Sequence, residues 1–180
     1  MTDAAIVDMF PETILKPEDD PNSRFTTREL MAWVKATVSE ELDLDHPWEF
    51  DLDPFAHPES HWGVEWWTKA DNAYVRMLLE KNFVNGPWDE CEQVTRWIRD
   101  QLPRNFRHQF TAQILPGNRQ EQDFWQNLIE PFRDRRSRGG TVVTTHYPPG
   151  RASYGFPGNP RGVNQGSMNV NSLLLIWRTR

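Results

Sequence analysis

The sequence predicts a mainly α protein: a five-helix single domain with a small β element near the C-terminus and extended N- and C-terminal arms. Three observations lead there. Apolar residues recur at three- and four-residue spacing between residues 27 and 136, Gly and Pro turns separate these runs, and a Gly/Pro-rich tail ends in a short apolar stretch. At 180 residues the chain has room for one domain with a substantial core. Nine Trp and ten Phe supply the apolar area that a modest aliphatic content does not.

Residues 1–25 read as an acidic flexible arm. A short apolar run, Ala4 to Phe10, is followed by a Pro- and acid-rich stretch, Pro11 to Ser23, that offers little to pack. The helical domain is expected over 26–138. Thr26 and Glu29 form a capping-box pattern, and Leu30, Trp33, Val34, Val38 and Leu42 place one apolar stripe on a helix over 27–42. Three prolines and alternating acids and aromatics then make residues 43–60 a loop. Ser60 opens a second expected helix, 61–82, carrying Trp62, Trp66, Ala70, Ala73 and Met77. The turn Asn85-Gly86-Pro87 closes it.

A third helix is defined by Trp88, Cys91, Val94, Trp97, Ile98 and Leu102 and stops at Pro103. Phe106, Phe110, Ile114 and Leu115 predict a fourth, ended by Pro116-Gly117. The fifth spans 119–136, with Phe124, Trp125, Leu128, Ile129 and Phe132 inward and a kink at Pro131. Residues 139–180 form the second arm: a strand at Thr141 to His146, a Gly/Pro-rich stretch, and the apolar run Leu173 to Trp177, which has to be covered by the domain or by a neighbouring copy.

Charge is divided by position. Residues 1–60 carry fifteen Asp/Glu against four Lys/Arg, whereas residues 101–180 carry four against eleven, all Arg. Opposite ends of this kind favour head-to-tail contact between copies or contact with a polyanion. The densest basic signal is Arg133, Arg135, Arg136 and Arg138 in FRDRRSRGG, joined by Arg104 and Arg107 beside Phe106 and Phe110. Planar guanidiniums suit phosphate oxygens, so these six are the expected nucleic-acid-binding residues.

Other chemistry finds less support. His57-x3-His61 with Glu59 has the spacing of a metal pair, but Pro58 interrupts it and no further ligand pattern accompanies it, so no metal is expected. Cys91, the single cysteine, sits on an apolar stripe and reads as a core residue rather than a nucleophile. The acids Glu40, Glu41, Asp43, Asp45, Glu49, Asp51 and Asp53 read as solvated surface or as an electrostatic partner of the Arg-rich sequence. No GxGxxG, P-loop or GxSxG motif occurs, and no cofactor or catalytic residue is predicted.

No apolar stretch is long enough to span a membrane and no signal-like leader is present, so a cytoplasmic protein without membrane contact is expected. The functional expectation is a self-associating structural protein of coat or nucleoprotein type, a homo-oligomer with an Arg-rich face for RNA or another polyanion. The alternatives are a small soluble hydrolase-like enzyme with a dispersed His/carboxylate site and a monomeric adaptor.

Overall fold

The computed structural model describes residues 25–45, 47–105, 107–117, 123–133, 140–150, 152, 154–155 and 171–179. A six-stranded mixed sheet organises them. The order along the chain is β1 (Phe25–Thr26), α1 (Arg28–Leu42), β2 (Phe50–Asp53), β3 (Gly63–Trp66), β4 (Lys81–Val84), α2 (Cys91–Gln101), β5 (Phe110–Pro116), α3 (Asp123–Leu128), α4 (Glu130–Arg133), β6 (Thr141–His146), β7 (Tyr154–Gly155) and β8 (Ser172–Thr179). Across the sheet the order is β3-β2-β4-β5-β8-β6. The first four strands are mutually parallel, and β8 runs antiparallel to both of its neighbours.

The mainly α expectation is therefore overturned, and with it the all-α description. Two expected helices are strands. Residues 106–115 have apolar positions four apart, yet Phe110 to Pro116 is buried at every position, as befits a central strand covered on both faces. Such a run carries no alternation to distinguish it from a helix segment. Residues 61–82 hold β3, two 3-10 turns (Lys69–Asp71 and Ala73–Val75) and β4. Their aromatic spacing misleads because the side chains separate: Trp67 enters one core, Trp62 packs against the other, and Met77 is 60 % exposed. Of the expected fifth helix, the described residues 123–133 form α3 and the single turn α4, with the break at Ile129 rather than at Pro131, and residues 119–122 and 134–136 lie outside the described residues.

α1 and α2 stand where their periodicity places them. The cap of α1 is Thr27, one residue later than expected, and its side chain accepts from the Leu30 N–H at 3.3 Å. Thr26 belongs to β1, which pairs with β7.

The terminal run Leu173 to Trp177 is covered by the domain itself. β8 inserts between β5 and β6, and its alternate residues feed both cores. Leu173, Leu175 and Trp177 pack with Val94, Trp97 and Ile98 of α2 and with Phe124, Trp125 and Leu128 of α3. Leu174 and Ile176 pack with Met31, Val34 and Val38 of α1, together with Phe50, Phe83 and Phe110. The result is a three-layer α/β/α arrangement. No helix among the described residues is long and apolar enough to cross a membrane.

Two buried polar groups lock the centre. Trp177 Nε1 donates to Gln113 Oε1 at 3.0 Å, and Gln113 Nε2 donates to Thr95 Oγ1 at 2.9 Å, tying β8, β5 and α2 together. Below them, at the amino end of β5, His108 Nε2 lies 2.8 Å from Thr111 Oγ1, while its Nδ1 is buried without a hydrogen bond among the described residues. Burial pushes the His108 imidazole down to about 4.

Trp177→Ala should cost about 3–5 kcal/mol through the cavity it leaves. Trp177→Phe should cost about 1–3 kcal/mol, chiefly by orphaning Gln113 Oε1. Urea titration of both variants measures the difference. Because His108 is depressed from 6.5 to about 4, its neutral form supports the fold fully above pH 6.5, and that support is lost as pH falls toward 4. His108→Gln should flatten the fall in melting temperature between pH 6.5 and 4.

Candidate functional site

Strand order reverses between β2 and β4. From β2 the chain passes to β3 on one side, then crosses to β4 on the other, which opens a crevice beyond the carboxyl ends of these two parallel strands. Open α/β sheets bind ligands at this topological position. A crevice of about 540 Å³ lies there, within the roughly 300–1,000 Å³ of small-molecule sites.

Its walls follow from the loops that leave the strands. β2 ends in Asp53-Pro54, β4 in Asn85-Gly86-Pro87, and the 3-10 turns after β3 contribute Lys69 and Tyr74. The two-residue strand β1 spans the gap: the Thr26 carbonyl accepts from Trp62 Nε1 at 3.3 Å, and its Oγ1 accepts from Asn85 Nδ2 at 3.0 Å. One residue thereby joins the β2–β3 loop to the β4 loop. Phe25 packs its ring 4.8 Å from His57.

Asp53 is the chemical centre. It is 3 % exposed, and its Oδ2 accepts from the Trp62 backbone N–H at 3.1 Å. Burial pushes its carboxyl up to about 7, against the backbone N–H groups of Trp62 and Phe55, which pull it down. On the opposite wall the Tyr74 hydroxyl donates to Glu90 Oε2, and burial together with that carboxylate raises the phenol. Phe55, Tyr74 and Trp97 pack edge to face behind this pair, with centroids 5.7–6.1 Å apart. The lining is acidic on balance, with Asp53, Asp89 and Glu90 against Lys69 and His57.

The expected basic residues that are described lie elsewhere. Arg104 and Arg107 are exposed around the turn between α2 and β5, at the amino end of the strands and away from the crevice. Arg133 ends α4 and pairs with Glu130 at 2.5 Å. Arg135, Arg136 and Arg138 fall outside the described residues, as does Phe106.

The two histidines are divided. His57 lines the crevice and its Nδ1 accepts from the Glu59 N–H, whereas His61 stacks on Trp66. Among the described residues no group of three His, Cys, Asp or Glu is placed to hold a metal ion. Cys91 is buried, with its Sγ 2.9 Å from the Trp88 carbonyl. The acid series also divides. Asp51 accepts from the Lys81 N–H and Glu41 faces Arg178 and His146, so only Asp53 of that series reaches the crevice.

Asn85, Tyr74 and Thr26 were not legible as site residues. Asn85-Gly86-Pro87 carries an ordinary turn signal, and only the knowledge that a parallel strand precedes it turns it into a ligand loop. Searches against protein-family models, curated proteins and solved structures match nothing to this chain.

With Asp53 raised from 3.8 to about 7, the folded state holds a proton that the unfolded state has released, so this residue's contribution falls as pH rises from 3.8 to 7. Asp53→Asn should therefore gain thermal stability over the wild type progressively from pH 5 to pH 8. Melting scans across that range check the sign.

Proposed function

We propose that the chain is an enzyme that binds a cationic nucleoside in the switch-point crevice and transfers a group from it. The carrying observation is the acidic crevice at the carboxyl ends of β2 and β4, centred on buried Asp53. Three features narrow the ligand. The position is that of nucleoside-bearing ligands in open α/β sheets. The strand-to-loop turn is Asp53-Pro54-Phe55, without the glycines that let a backbone cradle a pyrophosphate, and three carboxylates in the lining oppose one. Phe25, Phe55, Trp62 and Tyr74 supply flat apolar surface for a purine.

A sulfonium nucleoside such as S-adenosylmethionine satisfies all three, being cationic and free of phosphate. When bound it supplies an electrophilic methyl group. The residues present fit it: Asp53, Asp89 and Glu90 favour its positive charges, and the aromatic walls exclude water. Asn85 completes the site. Its Nδ2 is committed to Thr26, which leaves Oδ1 to accept a hydrogen bond from an incoming amino group. An amine nitrogen is accordingly the favoured acceptor. The exocyclic amino group of a nucleobase is one such acceptor, and it keeps nucleic acid as a partner through the site's chemistry rather than through the Arg cluster.

The coat or nucleoprotein reading has less to rest on. The apolar C-terminal run, which had to be covered by the domain or by a neighbouring copy, lies as β8 inside the sheet.

Isothermal titration with S-adenosylmethionine, S-adenosylhomocysteine, ATP and NAD tests the reading. Micromolar affinity for the first two, weaker by at least about tenfold in Asp53→Asn, is the expected result. Preference for ATP or NAD would overturn it. Methyl transfer from labelled donor is then expected to single-stranded or duplex DNA or RNA, and Asn85→Ala should lower that transfer more than it lowers donor affinity.

A further inference from the structure

The side chain of Asn85 is oriented by Thr26, whose Oγ1 accepts from Asn85 Nδ2 at 3.0 Å, and Thr26 belongs to β1, a strand of only two residues. So short a strand cannot hold a fixed place alone. β7 holds it: Thr26 pairs with Tyr154, and Phe25 with Gly155, in antiparallel register. Tyr154 does not line the crevice. It is 5 % exposed, and its hydroxyl shares a hydrogen bond with Ser172 Oγ, at the start of β8 and itself fully buried.

The same side chain also supports the Asn85 loop from its far end. The Tyr154 ring meets Trp88 edge to face, with centroids 5.3 Å apart, and Trp88 follows Asn85 directly after Gly86 and Pro87. Leu30 of α1 packs into the same small cluster. Between the two supports the loop lies tight against α2, since a Cβ on Gly86 would meet the Val94 side chain at 2.9 Å. Asn85 is thus held through its amide by Thr26 and through its loop by Trp88, and both supports converge on Tyr154.

We propose that Tyr154 is a positioning residue for Asn85: tied to the centre of the sheet through Ser172, it keeps the Asn85 carboxamide bonded to Thr26 with Oδ1 free for an incoming amino group. Its consequence for turnover rests on the proposed transfer to an amine, in which small displacements of a contacting group slow the chemical step.

Nuclear magnetic resonance of the full-length, ligand-free protein tests the positioning itself, with the Asn85 carboxamide assigned by its absence from Asn85→Ala. In Tyr154→Leu the amide proton bonded to Thr26 should exchange with solvent at least about tenfold faster than in the wild type, approaching its rate in Thr26→Val. The Trp177 indole proton, bonded to Gln113, should stay protected, and Tyr154→Phe, which keeps the ring against Trp88, should remain within about threefold of the wild type. Equal exchange in wild type and Tyr154→Leu would overturn the proposal. Loss of the Trp177 protection in Tyr154→Leu would assign Tyr154 to general stability and overturn it as well. In methyl transfer, Tyr154→Leu should lower kcat about tenfold while S-adenosylmethionine affinity stays within about twofold, and the reverse pattern would overturn the role. A wild type that binds no S-adenosylmethionine defeats the transfer reading alone, because the exchange rates of the Asn85 amide are measured without it.

Discussion

The insertion of β8 between β5 and β6 is the constraint on which the structure depends. Five consecutive apolar residues, Leu173 to Trp177, are fully buried, three toward α2 and α3 and two toward α1. Each such side chain contributes about 1.5–3 kcal/mol relative to exposure. The last residues of the chain thus hold the two helical layers against one sheet. Antiparallel pairing also allows β8 to enter beside β5 without a further helical crossover.

With β5, β8 and β6 fixed as a block, the parallel strands grow outward from β5, and the chain must reverse its direction of growth between β2 and β4. That reversal creates the crevice. Its lining then depends on two local facts: Pro54 and Pro87 carry the chain away from the strand ends, and Thr26 bridges the loops that follow. A buried carboxyl at such a place is costly for stability, since burial raises Asp53 to about 7. Carboxyls held against desolvation are a recurrent property of ligand sites, and a cationic ligand would offset the cost that the free protein bears.

The charge asymmetry of the sequence acquires a different meaning in three dimensions. The N-terminal acids separate into a backbone-bound residue, Asp51, a surface partner of Arg178, Glu41, and a crevice residue, Asp53. Arg104 and Arg107 gather at the opposite end of the sheet from the crevice. Among the described residues the charged groups of each block are divided, because parallel strands send consecutive loops alternately to the two ends of the sheet.

α1, α2, the strand β6 and the core role of Cys91 could be read from the chain alone, because each depends on local periodicity or capping. The sequence placed Asp53 among the acids without distinguishing it from its neighbours. That residues 110–116 form a strand emerges from the fold, since a segment buried on both faces shows no period of two. The fold alone decided that the apolar C-terminus lies at the centre of the sheet rather than on another copy. The site was hidden for the same reason: Thr26, Asp53, Tyr74 and Asn85 lie far apart in the chain and meet only because strand order, a long-range property, reverses between β2 and β4.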